Sequence, residues 1–101
     1  MKLKYAVTFE LDEDIGSYSL GINDYDSALA YGEDKDDALK VLLSVMLEDL
    51  NANYFEHENP WRAIPLPSPL KEGEAYIEIP DDISEKILKY NEKFEAKSFV
   101  V

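Results

Sequence analysis

The run from Asp34 to Tyr54 constrains this chain most, because its apolar residues recur at the spacing of a helix face and no proline or glycine interrupts them. Asp34, followed by Asp36 and Asp37, supplies a capping side chain and then negative charge against the positive end of the helix dipole. From Ala38 onward Leu39, Leu42, Leu43, Met46 and Leu50 recur at three- and four-residue steps, and Val41, Val45 and Ala52 widen the stripe. Asp37, Lys40, Ser44, Glu48 and Asn51 are left as a narrower polar face. The pattern predicts a long helix over residues 35 to 53 packed on one face of a sheet. So wide an apolar arc needs a further layer, supplied by later segments of the chain or by a second copy. Asp49 falls near the middle of the arc, where an unpaired carboxylate is costly. It is therefore expected to be satisfied by neighbouring backbone or to sit at the exposed end of the helix.

Around that helix the chain alternates as strands do. Residues 2 to 11 place Leu3, Tyr5, Val7, Phe9 and Leu11 on one face, and residues 17 to 22 place Tyr18, Leu20 and Ile22 inward after the turn Asp12 to Gly16. Asn23 to Asp26 reads as a polar turn, and a third strand runs through Ala28, Leu29, Ala30 and Tyr31 to Gly32. Beyond Tyr54, Pro60, Pro65, Pro67 and Pro69 forbid helix and predict a proline-rich strap over residues 60 to 69, laid across the core. Residues 74 to 80 alternate again and stop at Pro80. Asp82 and Glu85 then form a capping pair for a short last helix, with Ile83, Ile87, Tyr90 or Asn91, and Phe94 aligned. The apolar tail Phe99, Val100 and Val101 is expected to pair as a short strand or to enter a groove. The fold class is α+β, an antiparallel sheet in the order β-β-β-α-β-α, with residues 1–101 as a single domain.

Charge and residue inventory narrow the functions. Ten basic against 22 acidic residues give a net charge of −12, which repels phosphates and attracts basic partners. There is no cysteine and one histidine, so neither a disulfide framework nor a multi-histidine metal centre can be built in one chain. The N-terminus turns acidic within its first strand and no run approaches about 18 apolar residues, so neither a signal peptide nor a membrane span is read and a cytoplasmic protein is expected.

Catalytic patterns are few. Glu10 or Asp12, Glu48 and Glu78 are the candidates for a carboxylate-held divalent metal of the nuclease kind, but Glu10 and Glu78 fall on the outward phase of their strands and Glu48 on the polar face of the helix. No nucleophile elbow, phosphate loop, dinucleotide fingerprint or zinc-helix motif occurs, and His57 in the sequence EHE reads as an exposed loop residue. No cofactor is implied. Trp61 beside Arg62 is read first as an anchor of the strap. It is read second, with Lys86, Lys89 and Lys93, as an RNA-binding set whose field is small because Glu85, Glu92 and Glu95 interleave with the lysines.

Four stretches in this order, KYAVTFELDEDIGSYSL, YGEDKDDAL, IPLPSP and EAYIEIPDDISEKILKYNE, cover most of the chain and resemble the HicB family of bacterial antitoxins. The resemblance implies a partly degenerate RNase H or double-stranded-RNA-binding scaffold without nuclease chemistry, which binds and covers HicA, a small basic ribonuclease toxin. Many members also carry a C-terminal DNA-binding module. This chain departs from the family between its second and third strands, where Asn23 to Ser27 replaces a Pro-Asp and Pro-Gly-Cys turn. After Asn91 too little sequence remains for a helix-turn-helix, so DNA binding is not expected of it. The expected function is non-catalytic protein binding, as a homodimer, with Asp12, Glu13, Asp14, Asp24, Asp26 and Glu48 facing a small basic partner. RNA binding through Trp61, Arg62, Lys86, Lys89 and Lys93 is the alternative, and a metal-dependent nuclease comes third.

Overall fold

The computed structural model describes residues 2–57 and 61–98. Alternation becomes an antiparallel meander: Lys4–Asp12 (β1), Ser17–Ile22 (β2) and Tyr25–Gly32 (β3) lead into Lys35–Leu50 (α1), and Tyr76–Glu78 (β4) precedes Asp81–Ser98 (α2). The sheet order is β3-β2-β1-β4, so the last strand returns to pair beside the first. β1 meets β2 from Val7 opposite Ile22 to Asp12 opposite Ser17, and β4 from Lys4 opposite Glu78 to Ala6 opposite Tyr76. One face carries Tyr5, Val7, Leu20, Ile22, Tyr25, Ala28, Ala30 and Ile77, all buried in one cluster with Ala38, Leu42, Met46 and Leu50 of α1.

The turn between β2 and β3 is tighter than the sequence predicts. Only Asn23 and Asp24 form it, because Tyr25 is buried opposite Ile22 and opens β3. Its ring packs edge-on against Tyr5, with centroids 6.5 Å apart. Burial of that ring outweighs the turn preference of its acidic neighbours. Tyr25 pairs with Ile22 while Leu29 pairs with Gly21, so residues 26–28 bulge out of the ladder.

α1 is capped as expected, the Asp34 carboxylate accepting from the Asp36 and Asp37 backbone N–H groups at 2.8 and 3.2 Å. Its buried positions Ala38, Leu42, Met46 and Leu50 step by four. In an α-helix each such step drifts by about 40° around the axis. The drift is reversed over Asn51–Phe55, a wider turn closed by the Glu56 N–H to the Asn51 carbonyl at 3.0 Å, which brings Tyr54 back into the core. The helical run thus reaches as far as its apolar pattern, but its last turn is not α-helical. The rest of the apolar arc is only partly covered: Leu39, Leu43, Val45 and Leu47 are half-buried and Val41 is exposed.

The strap, described from Trp61 onward, lies over the core as predicted; Pro60 lies outside the described residues. It is fixed by hydrogen bonds to side chains. The Tyr5 hydroxyl donates to the Pro65 carbonyl (2.7 Å), and the backbone N–H and hydroxyl of Ser68 donate to Asp24 (2.9 and 3.1 Å). Asn91 accepts from the Ile64 N–H (2.8 Å) and donates to the Ile64 carbonyl (3.0 Å). An asparagine on a helix here takes the place of a strand partner for an extended segment. α2 is longer than predicted, with 18 residues, and starts one residue before the predicted cap, at Asp81. Buried Ser84 accepts from the Leu3 N–H and donates to the Ile79 carbonyl, both at 3.0 Å, locking the start of α2 to the chain's first residues. The tail Phe99, Val100 and Val101 lies outside the described residues.

Candidate protein-docking surface

The six acidic residues expected to meet a basic partner do not form one patch. Asp12, Glu13 and Asp14 lie on the β1–β2 hairpin, while Asp24 and Asp26 lie at the β2–β3 turn, the opposite end of the same strands. Six residues of β2 separate the two groups, on the order of 20 Å. At the hairpin, the Asp14 N–H binds the Asp12 carboxylate at 3.1 Å and the Gly16 N–H binds the Asp12 carbonyl at 2.8 Å. Gly16 turns the chain at φ 65°, a conformation that side-chain-bearing residues rarely adopt. Asp12, Glu13 and Asp14 are therefore held exposed, with Glu10, Leu11 and Ser19, around an open hollow of about 540 Å³, and Ile15 projects into water beside them.

At the other end Asp24 is engaged by Ser68, so its carboxylate serves the strap as well as the surface field. Asp26 borders a hollow of about 190 Å³ with Ser27, Tyr54, Arg62 and Pro65. Glu48 is exposed on α1. Asp49 is satisfied by side chains rather than backbone. Its carboxylate accepts from the Tyr25 hydroxyl (2.5 Å), the Ser27 hydroxyl (2.9 Å) and the Asn53 amide (2.8 Å). The Tyr25 phenol is held well above the usual tyrosine range, first by burial and then by its bond to Asp49. Burial, with the charge of Asp24, pushes Tyr5 the same way.

The aromatic and basic residues gather where α1, the strap and α2 meet. Trp61 stacks on Tyr54 (centroids 6.4 Å apart, 17° between planes), and its indole N–H donates to the Asn53 carbonyl at 2.9 Å. It is an anchor, yet 54 % of it stays exposed. The Arg62 guanidinium lies 4.2 Å from the Trp61 centroid and 4.9 Å from that of Tyr54, and Lys86 lies 4.6 Å over Phe55. Tyr90 packs edge-on against both Tyr54 and Phe55. The lysines of α2 do not simply alternate with glutamates in space. At 100° per residue Lys86, Lys89 and Lys93 share the flank beside Tyr90, and Glu85, Glu92 and Glu95 share the flank beside Ser84. Lys86, Lys89 and Lys93 thus fall in one stripe, which Asp82 shares, and Glu85, Glu92 and Glu95 in another. The three- and four-residue spacing of the lysines carried that signal.

The carboxylates weighed for a metal stay apart. Glu78 pairs with Lys4 at 3.6 Å near one end of β1, Glu10 lies six residues farther along that strand, and Glu48 is on the exposed side of α1. No group of three His, Cys, Asp or Glu able to hold a metal ion occurs among the described residues.

A family described as HicB_like antitoxin of bacterial toxin-antitoxin system matches residues 4–88, from the first residue of β1 into α2. The chain belongs to the HicB-like antitoxin family. Antitoxin HicB 1 of Photorhabdus laumondii is 28% identical to it over 95 residues, which are 94% of this chain and 57% of that protein. Antitoxin HicB of Escherichia coli K12 is 32% identical over 89 residues, 88% of this chain and 61% of the relative. The HicB-like chain therefore spans about three fifths of the length of the curated relatives it matches. No helix among its described residues is long and apolar enough to cross a membrane.

Proposed function

We propose that this HicB-like chain is a non-catalytic antitoxin of the bacterial cytoplasm, folded as one domain over residues 1–101, which covers a small basic ribonuclease toxin of the HicA kind. The observation that carries the reading is the family match joined to a net charge of −12. The hairpin Asp12, Glu13 and Asp14, whose side chains are exposed and held by a fixed turn, supplies part of the negative field that draws such a partner in. Asp24, Asp26 and Glu48 add to the long-range field. Complementary charge of this kind accelerates and orients association. A homodimer belongs to the same reading, and the half-covered flank Leu39, Leu43 and Leu47 of α1 favours it. The test is co-expression with an adjacent small basic open reading frame. A stoichiometric, salt-sensitive complex that restores growth supports the antitoxin function; no association and no inhibition refutes it.

RNA binding is the second reading. It is favoured by the lysine stripe Lys86, Lys89 and Lys93 of α2, of which Lys86 lies over Phe55, and by the exposed pair Trp61 and Arg62. A salt-dependent RNA mobility shift that Lys89→Glu/Lys93→Glu abolishes would support it.

A further inference from the structure

The sheet has two edges, and they are finished differently. β4 is three residues long, whereas β3 has eight, and among the described residues no backbone hydrogen bond from another element reaches the outer side of β3. Edge strands are commonly guarded by lysine, proline or a bulge. β3 contains neither residue type, and its bulge is confined to residues 26–28, leaving the straight stretch Leu29–Gly32 open. On the outer sheet face of that stretch Leu29 is 55% and Tyr31 69% exposed. They border a shallow hollow of about 260 Å³ with Thr8, Glu10, Ser19 and Gly21.

We infer that the free edge of β3 is a docking site for a cationic extended segment, which adds as a fifth strand beside Leu29, Ala30, Tyr31 and Gly32. The inference rests on the proposed partner reading and states how a basic partner is seated. Charge decides the occupant. Asp24 and Asp26 lie at one end of β3, and Glu33 and Asp34 follow the other. A second copy pairing in either direction sets acidic ends against acidic ends, whereas a segment flanked by lysine or arginine meets opposite charge at both. Backbone bonds to the edge supply affinity, and alternate apolar side chains beside Leu29 and Tyr31 supply register. About four to five residues, on the order of 15 Å of strand, fill the open stretch.

The probe is a short peptide of alternating valine and lysine, with an isomer of the same composition in separate valine and lysine blocks as control. In an amide NMR titration of the whole chain, the alternating peptide is expected to shift residues 26–33 and to slow hydrogen exchange at Leu29 to Tyr31. The block isomer, and the variant Leu29→Glu/Tyr31→Glu with unchanged melting, are each expected to bind at least about tenfold more weakly. Equal binding of both peptides, or shifts centred on Asp12 to Asp14, overturns the inference by reducing it to bulk charge. Edge amides already protected in a chain that sediments as a dimer overturn it in favour of a second copy. If the peptide docks at β3 but no basic neighbour co-purifies, the antitoxin reading fails and the edge stands. If a neighbour co-purifies with Leu29→Glu/Tyr31→Glu at undiminished affinity, the edge inference fails and the antitoxin reading stands.

Discussion

Asn91→Ala should be among the most damaging single substitutions in this protein, although it removes no apolar surface. Asn91 is 9% exposed and spends both ends of its amide on one residue of the strap, accepting from the Ile64 N–H at 2.8 Å and donating to the Ile64 carbonyl at 3.0 Å. Ile64 is itself buried. Alanine leaves that N–H and carbonyl without partners, and each buried unpaired group costs about 1–3 kcal/mol. Partial entry of water offsets some of this, so a loss of about 2–4 kcal/mol is expected, which for a chain of this size lowers the melting temperature by about 10–25 °C. Urea denaturation, with midpoints compared at a common slope, measures it. Asn91→Asp sharpens the test. The carboxylate still accepts from the Ile64 N–H but opposes the Ile64 carbonyl, so its folded-state pKa is raised above the ordinary value of about 3.9. The deficit relative to the parent chain should then be full at neutral pH, shrink as pH falls through the raised value, and be smallest below about pH 4. A loss under about 0.5 kcal/mol for Asn91→Ala, or a pH-independent deficit for Asn91→Asp, would refute the assignment of Asn91 as the backbone partner of the strap.

Ser84→Ala should cost about 1–3 kcal/mol in the same assay, because the Leu3 N–H and Ile79 carbonyl lose their shared buried partner; wild-type stability in Ser84→Ala would remove that link. Tyr5 and Tyr25 both carry phenol pKa values raised above 10 in the folded state, chiefly by burial. Their stabilisation is therefore complete below about pH 10 and falls above it, by up to about 1.4 kcal/mol per pH unit for each. Tyr5→Phe/Tyr25→Phe should start less stable but flatten that alkaline decline, and an unaltered slope would show that other groups set it. Gly16→Ala should lower stability by about 1 kcal/mol, since φ at Gly16 is 65°. Asp12→Lys/Glu13→Lys/Asp14→Lys should slow association with a basic partner by about 10- to 100-fold at low salt and much less at high salt; unchanged kinetics would take the hairpin out of the interface.

Much of the architecture was legible because burial in this chain is written in simple periods. Tyr5, Val7, Leu20 and Ile22 alternate and face α1, and Ala38, Leu42, Met46 and Leu50 repeat at helical spacing. Asp34 is the cap that its position before Asp36 and Asp37 announces. Ile77 is buried in β4 as its alternation requires. Local preference misjudged the start of β3, where Tyr25 stands between aspartates yet is buried against Tyr5. It also missed the polar side chains that hold distant segments together. Asn91 aligns with the inward face of the last helix without revealing its partner, nothing local marks Ser84, and Asp49 reads as a carboxylate satisfied by backbone or exposure, when its donors are Tyr25, Ser27 and Asn53.

The sequence by itself determined the element order, the acidic character and the face that each strand and helix buries, because those follow from spacing along one chain. Family membership was legible from the order of short stretches along the chain, and the family match over residues 4–88 agrees with it. The tertiary structure alone decided which charges act together. It set Asp12 to Asp14 at the opposite end of the sheet from Asp24 and Asp26, committed Asp24 to Ser68, and brought Lys86, Lys89 and Lys93 onto one flank of α2. It also decided that β3, rather than β4, presents the long open edge with Leu29 and Tyr31 exposed beside it. Strand order and the proximity of charges are fixed by contacts between residues far apart in sequence. No local periodicity records them.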